Sequence, residues 1–520
     1  LVSQVQSARA SALGSLERHH QAIAAAEAAL AGHRQLGDRL AQCLDLCLRA
    51  HSLHRLGRLA EAHADLDAAV RVIGDGAAEG DPAMALALAA ALGSLAEAHL
   101  WRDDADEADR AAQESLVQAQ RAADSWLAGG RGGLALAHER LAAMAGSQGR
   151  PGRQLREARL AEQGLTSAGD RGLLSATKRQ AADALHGLGR HAQAFIAADE
   201  AVTAARAHLL EVDPSGALLL AEALHSRAQC RVWLDQWDDS LADIQEALAL
   251  CLPRAADQPG GYGAVAVSVL ISRAWWLTRL DPRHAETAAM DAVDLAGAPG
   301  LVELRMLPGA LTERAAICQG LVPRRRLAAA QAEAVAAWRA AAESGSPRAR
   351  SGLIAALIAQ ADGLAHGWRR GPALGVAREA LALARASDKQ TAPSYWLPTA
   401  LLTVAKLALR RLHRVESRTL LHELVSCYRA SQLEQPQGWV LEQASAAVGA
   451  ARLLRAVREP ELAAEALALA VDRLRQTPFA ASDLRTALTE QDAQLRDLGR
   501  YEEAEACRRE IEQHDAAASA

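Results

Sequence analysis

A short motif, Leu-Gly-Arg followed by three residues and an alanine, occurs three times in this 520-residue chain. It reads LGRLAEA at 56–62, LGRHAQA at 188–194 and LGRYEEA at 498–504. When the chain is aligned on the last alanine, a small residue recurs at nearly every equivalent position, which we call the key position. The key positions are Ala22, Ala62, Ala108, Gln154, Ala194, Ser240, Ala285, Ala328, Ala373, Ser417, Ala463 and Ala504. Their spacing of 40–46 residues predicts about twelve units with a period of about 44 residues.

Each unit has the pattern of two helices joined by a tight turn. In the second unit, Leu66 and Ala69 follow the key position by four and seven residues, which places all three on one face of an α-helix. Another alanine, Ala50, precedes the key position by twelve residues and marks an earlier helix. Gly57 lies five residues before the key position, where a glycine can adopt the left-handed conformation that ends a helix. Gly149, Gly189 and Gly499 occupy the same place in other units.

This order of glycine, alanine, apolar residue and alanine resembles the tetratricopeptide repeat (TPR), a helix–turn–helix unit of 34 residues. The resemblance covers essentially the whole chain and is closest in LGRLAEAHADLDAAV at 56–70 and LGRYEEAEACRREI at 498–511. The period here is longer, and Leu, Ala or Arg replaces most aromatic residues of the first helix. The resemblance implies an all-α, right-handed α-solenoid of about twelve TPR-like units. Residues 1–520 would form one array without a separate catalytic domain.

Composition and charge narrow the possible functions. Aromatic residues are 3% of the chain, and its basic residues are nearly all Arg, as is typical of a high-GC bacterial genome. The net charge is −6 with both signs interspersed, which argues against direct nucleic-acid binding. We find no uninterrupted apolar run of membrane-spanning length and no secretory signal pattern. We therefore expect a cytoplasmic protein without a membrane partner.

The sequence shows no constellation of residues that would carry chemistry. The HExxH, GxSxG and phosphate-loop motifs are absent. The glycine run GGRGG at 129–133 lacks the following Lys-Ser/Thr and is predicted to be a flexible connection. His51 and His54 lie three apart without a third metal-ligand type nearby, and the seven cysteines form no CxxC pair. We expect a protein that is not an enzyme and has no metal and no cofactor.

Arg-Ala pairs recur in the first helices at Arg49, Arg227, Arg273 and Arg314. Because first helices line the concave surface of a TPR-like solenoid, the resemblance implies a ladder of arginines there. One interpretation is an electropositive stripe for an acidic peptide, a phosphate or a partner helix. The favoured alternative is a set of salt bridges to acidic residues of neighbouring units. If a binding groove exists, the candidate residues are Arg227, Gln229, Trp233, Arg273, Trp276 and Arg314.

An extended repeat surface of this kind suits binding to a protein or peptide partner. Because the sequence begins with Leu, we expect a partner-binding or sensor arm of a larger bacterial regulatory or signal-transducing protein. In that interpretation an upstream domain of the same polypeptide is one partner of the array. The alternative is a stand-alone receptor for a small molecule or short peptide, whose superhelix closes on the ligand.

Overall fold

The computed structural model describes residues 1–78, 80–102, 104–125, 129–165, 171–211, 216–303, 306–343, 346–365, 370–388, 396–430, 437–475 and 481–519. These residues form α-helices and short turns, and no β-strand occurs among them. The helices are α1 (Val2–Ser15), α2 (His19–Leu36), α3 (Arg39–Arg55), α4 (Leu59–Ala78), α5 (Pro82–Trp101), α6 (Ala105–Asp124), α7 (Gly130–Ser147), α8 (Pro151–Gly164), α9 (Arg171–Gly187), α10 (His191–Glu211), α11 (Gly216–Val232), α12 (Trp237–Cys251), α13 (Ala264–Leu280), α14 (Pro282–Ala296), α15 (Pro299–Glu303), α16 (Met306–Cys318), α17 (Arg324–Ala342), α18 (Pro347–Ala365), α19 (Arg370–Asp388), α20 (Trp396–Arg410), α21 (Arg414–Ala430), α22 (Gln437–Ala456), α23 (Pro460–Arg475), α24 (Ala481–Asp497) and α25 (Tyr501–Ser519).

The chain divides into two compact units, Leu1–Ile317 and Cys318–Ala520. In the first unit, α1–α14 form seven successive helix pairs, and each pair packs against the next. In the second unit, α17 is followed by four pairs, α18–α25. The predicted all-α arrangement of TPR-like helix pairs is confirmed. The predicted eighth helix pair is divided, because α16 falls largely in the first unit and α17 in the second. A single right-handed array over 1–520 stays a prediction.

The key positions open the second helix of each pair. In eleven of the twelve predicted units, the key residue is the fourth residue of that helix and is at most 5% exposed. Small side chains at this place let the two helices of a pair approach closely. The exception is Ala328, which is half-buried. Since α17 begins at Arg324, Leu327 is its fourth residue, and Gln331 and Ala334 continue the buried stripe. The predicted position is therefore wrong by one residue in this unit.

In eight of the helix pairs, the turn ends the first helix with one left-handed residue five residues before the key position. Gly57 has a φ of 78°, and φ is also positive at Gly149, Gly189 and Gly499, as predicted. Four non-glycine residues take the same conformation five residues before their key positions. They are Glu17 (φ 59°), Asp235 (φ 57°), Leu412 (φ 66°) and Arg458 (φ 66°). The same turn therefore forms in units that have another residue type in place of the glycine.

We expect Leu412→Gly to raise the free energy of unfolding by about 1 kcal/mol, because a non-glycine residue in the left-handed region is strained by about 1–2 kcal/mol. Leu412 is 81% exposed, so its removal loses little packing. The reciprocal change, Gly499→Ala, should lower stability by about 1 kcal/mol, since an added Cβ meets nothing within 4 Å and only the backbone is strained. Urea denaturation followed by circular dichroism measures both. Equal midpoints for the wild type and both variants would contradict the strain argument.

The glycine run GGRGG was predicted to be a flexible connection, and this prediction is wrong. Gly129 has a φ of 88° and is the N-cap of α7, whose first residues are Gly130–Gly133. A Cβ at Gly130 would lie 2.8 Å from the carbonyl oxygen of Ala122, so the glycine allows α7 to begin close against the end of α6. The run serves close packing between helices.

Helix α5 is long and unusually apolar. Its stretch Pro82–Leu100 has a mean hydropathy of 1.5 and the length of a membrane span, although Ser94, Glu97 and His99 interrupt it. Half of that stretch is buried inside the first unit, between α4, α6 and α7. A core helix of a soluble protein has the same composition, and a single such helix is weak support for a membrane span.

The connection between α12 and α13 packs against the beginning of the chain. It contains a 3-10 turn, Leu252–Arg254, and a π-helical turn, Pro259–Gly263, whose residues are buried. The Tyr262 hydroxyl donates to Glu17 Oε1 at 2.5 Å, and Gln258 Oε1 lies 3.2 Å from His19 Nε2. We call residues 252–263 the closing segment. It joins the sixth and seventh helix pairs of the first unit to the turns of its first two pairs.

Candidate functional site

The first helices of the pairs in the first unit, α3, α5, α7, α9, α11 and α13, lie side by side. Polar side chains join neighbouring helices along this surface, which we call the first-helix wall. Arg140 on α7 donates to the carbonyl oxygen of Ala90 on α5 at 2.9 Å. Ser226 on α11 donates its hydroxyl proton to Asp183 on α9 at 2.7 Å. The wall is therefore held together by hydrogen bonds from one helix pair to the next.

The predicted residue Gln229 lies on this wall. Its Nε2 is 3.2 Å from Nε2 of His225, which in turn lies 2.8 Å from the Ser272 hydroxyl on α13. Burial, and then the nearby Arg179 guanidinium, lower the pKa of His225 to about 4. His225 is therefore neutral at pH 7 and joins α11 to α13 as a hydrogen-bonding group without charge.

Arg227 does not contribute a free positive charge. It is 8% exposed, and its Nε and Nη2 donate to Asp243 of the same helix pair at 3.0 and 2.7 Å. Its Nη1 donates to Asp199 of the preceding pair at 2.6 Å. Arg49 forms the equivalent bond with Asp65, its Nε donating at 2.7 Å. Salt bridges to a neighbouring helix pair, the alternative favoured by the sequence analysis, are present at Arg227 through Asp199 and at Arg49 through Glu27 on α2, 3.5 Å away.

Arg273 differs from Arg227 because the matching acid is missing. The partner of Arg227 lies sixteen residues later, and the corresponding residue after Arg273 is Ala289. Within the described parts of the chain, no side chain pairs with the half-buried Arg273 guanidinium. Arg314 on α16 is also half-buried and has an interaction partner.

The two predicted tryptophans have different surroundings. Trp233, just after α11, is 62% exposed and stacks on the His191 ring with centroids 4.9 Å apart and planes 7° apart. The edge of His186 lies against it at 5.7 Å. Trp276 is half-buried against the apolar core between α11 and α13. The six predicted residues are thus divided between the wall, the interior of a helix pair and the core.

The sequence analysis missed Glu139, on the same helix as Arg140. This glutamate is 9% exposed, and no described residue donates a hydrogen bond to it or pairs with it. Burial, and then the Glu97 carboxylate, raise the pKa of Glu139 to about 7, although Arg179 and Arg140 oppose the shift. One sequence signal could have identified it. In the stretch that separates Arg131 from Arg150, Glu139 and Arg140 are the only Asp, Glu, Lys or Arg residues.

Acidic side chains from three neighbouring helices lie around this position. Glu97 on α5 pairs with Arg140 at 3.3 Å, and Glu222 on α11 pairs with Arg179 at 3.4 Å. Asp183 on α9 lies 3.7 Å from the same Arg179 guanidinium. Both Glu97 and Glu222 are close enough to raise the pKa of Glu139, although α9 separates α7 from α11. Among these carboxylates, Glu139 is the one that pairs with no described residue.

A cavity of about 460 Å³ adjoins this part of the wall. Leu86, Leu136, Leu165 and Leu173 supply its apolar lining, and Arg140 is its one charged lining residue. Glycine keeps this space open, because a Cβ at Gly133 would lie 2.3 Å from Leu86 Cδ1. The cavity has the size of pockets that hold small ligands or single side chains.

The described residues show no metal centre. They contain no group of three or more His, Cys, Asp or Glu side chains placed to hold an ion. Cys43 and Cys47 share a face of α3, where burial and their mutual hydrogen bond raise the pKa of the Cys43 thiol. His51 is uncharged at neutral pH, because burial and the Arg55 guanidinium lower its pKa to about 3.

Comparisons with known proteins give similarity of fold only. No family model matches the chain, and no curated protein matches it. Among solved structures, the apo form of RapI is 11% identical, with a TM-score of 0.45, over 75% of this chain and 98% of that one. The quorum sensor NprR of B. thuringiensis is 12% identical, with a TM-score of 0.39, over 72% and 97%. BtubC of P. vanneervenii is 14% identical, with a TM-score of 0.39, over 48% and 94%. At these values the similarities do not bear on function.

Proposed function

We propose that this protein is a non-catalytic scaffold that binds a peptide or an extended segment of a partner protein on the first-helix wall. The observation that carries the proposal is the wall itself. It is an extended surface built from successive first helices, with hydrogen-bonding side chains along it and an apolar cavity beside it. A peptide bound there would contact several helix pairs at once, as suits repeat proteins with extended concave surfaces.

We further propose that the chain serves as the partner-binding or sensor arm of a larger bacterial regulatory protein in the cytoplasm. Two residues of the predicted set remain available for such a partner. Gln229 lies on the wall, and Arg273 presents a guanidinium that no described side chain neutralises. The arginines that are saturated by salt bridges, Arg49 and Arg227, would instead keep the helix pairs in register.

A stand-alone receptor is the second candidate function, and one observation favours it. The closing segment already joins the sixth and seventh helix pairs to the first two, through Tyr262 and Gln258. A ligand on the wall would therefore bind inside a unit whose two ends are in contact. Binding could then change that contact and be sensed by a partner.

The test is selection of a random peptide library on the immobilised chain, followed by affinity measurements with two variants. Gln229→Trp places a bulky side chain on the wall, and we expect it to weaken binding of the selected peptides about tenfold or more. Thr203→Trp changes an exposed residue of the second helix α10 and should leave binding unchanged. Circular dichroism confirms that both variants fold. Equal binding by both variants would place the peptide elsewhere.

A further inference from the structure

We propose that Glu139 anchors a cationic group of the bound peptide, a guanidinium or ammonium carried next to an apolar side chain. This inference rests on the proposed peptide-binding function and names the chemistry of its ligand. The ligand charge proposed here is opposite to the one expected from the arginine ladder, which would have favoured an acidic peptide. Three observations carry it: a buried carboxylate without a partner, an excess of acids around it, and an adjoining apolar cavity.

The first observation is the missing partner. A carboxylate that is nine-tenths buried normally accepts hydrogen bonds or pairs with a base, because its removal from water is costly. Glu139 does neither among the described residues, whereas Glu97 and Glu222 each have an arginine. The free protein thus has, on the first-helix wall, a largely buried glutamate whose carboxylate pairs with no described side chain. A ligand cation would supply the missing hydrogen bonds.

The second observation is the local charge. Four carboxylates, those of Glu97, Glu139, Asp183 and Glu222, converge on this part of the wall from α5, α7, α9 and α11. Two guanidinium groups, Arg140 and Arg179, lie between them. When Glu139 is ionised, the acids exceed the bases by two. A cation is attracted to this site, and an acidic side chain is repelled.

The third observation is the cavity, which determines what the cation is attached to. Leu136 and Arg140 both line it and lie one turn apart on α7, and Glu139 immediately precedes Arg140. Glu139 itself does not line the cavity, but it lies three residues after Leu136, and side chains at that spacing on a helix are neighbours whose Cβ atoms lie about 5–6 Å apart. One residue of a peptide could pair with Glu139 while the apolar side chain next to it enters the cavity.

The proposal is tested by the peptides that the random library yields and by two end-blocked probes. One probe carries Arg between two leucines, and the other replaces that Arg with norleucine, which keeps the stem and removes the charge. We expect selected peptides to be enriched in Arg or Lys beside an apolar residue, and the Arg probe to bind more tightly than its neutral match. Glu139→Gln should weaken the Arg probe about tenfold or more and leave the norleucine probe unchanged. Glu505→Gln, at an exposed position of the second helix α25, is the matched control, because this carboxylate also pairs with no described residue.

The pH dependence separates a direct ion pair from a structural effect. Raising the pH from 6 to 8 should tighten the Arg probe about fivefold to tenfold in the wild type, because Glu139 then loses its proton. The charged groups facing it are Glu97, Arg140, Arg179 and Glu222, with Asp183 beside Arg179. The neighbouring His51 and His225 stay neutral over this range. Glu139→Gln should abolish the dependence. Butylguanidine, measured in parallel, shows whether the cation binds without a peptide.

Each outcome decides a different claim. Enrichment of acidic or uncharged peptides, or no effect of Glu139→Gln, would overturn the cation site and leave the peptide-binding function standing. A library that yields no peptide at all would overturn both. Tight binding of butylguanidine with no gain from the peptide would assign the site to a small cationic ligand and reject the peptide.

Discussion

Replacing Ala194 with Arg is expected to lower the free energy of unfolding by about 4 kcal/mol, the sum of overpacking and of a buried charge without a partner. Ala194 is the fourth residue of α10, is fully buried and packs in the core between α9 and α10. No space exists there for a longer side chain unless the two helices separate. Urea denaturation followed by circular dichroism measures the loss.

Ile196→Arg is the control for this prediction, because it introduces the same side chain two residues later on the same helix. Ile196 is 58% exposed, so its replacement should change the midpoint little. The stacked pair of Trp233 and His191 lies one turn from Ala194, and tryptophan fluorescence should therefore report the local disruption. Equal midpoints for the two arginine variants would reject the assignment of key positions to the interface within each pair.

Helix pairing could be predicted because it depends on short-range spacing. The left-handed turn residue lies five residues before the small key residue, so both can be recognised in one short stretch of sequence. The recurrence of this stretch about every 44 residues located most units. The prediction failed at Ala328, because α17 begins after Pro323, one residue earlier in the repeat than the predicted key position requires. The prediction also missed Leu412 and Arg458 as turn residues. Both residue types disfavour the left-handed conformation, which the packing of the helix pair imposes on them.

The candidate site was harder to predict because it depends on long-range contacts. The arginine ladder looked like a binding surface in the sequence, and only the positions of Asp243 and Asp199 show that Arg227 is neutralised. Conversely, the pKa of Glu139 is raised first by burial and then by Glu97 and, last, Glu222, which are 42 and 83 residues away. A repeat pattern determines which helix a residue belongs to. It does not determine which charges meet on the wall.

The closing segment illustrates the same limit, and Gly260 is its most constrained residue. A Cβ at this position would lie 1.9 Å from the carbonyl oxygen of His54 in the last turn of α3, which is far inside any permitted contact. A Cβ at Gly300 of α15 would lie 2.4 Å from Pro259 Cγ. Gly260 therefore lets the closing segment approach α3 at backbone distance, and Gly300 lets α15 approach the closing segment.

We therefore expect Gly260→Ala to separate the closing segment from the first two helix pairs and to lower stability by about 3 kcal/mol, because backbone must move to admit one methyl group. Hydrogen exchange should accelerate at residues 54–59 and 258–263. Gly152→Ala is the matched control, since a Cβ there meets nothing within 4 Å, and it should raise stability by about 0.5–1 kcal/mol. If Gly260→Ala leaves exchange at both sites unchanged, the contact between the closing segment and the second pair does not exist in solution. If exchange rises and binding of the selected peptides also changes, closure of the first unit and ligand binding on its wall are coupled.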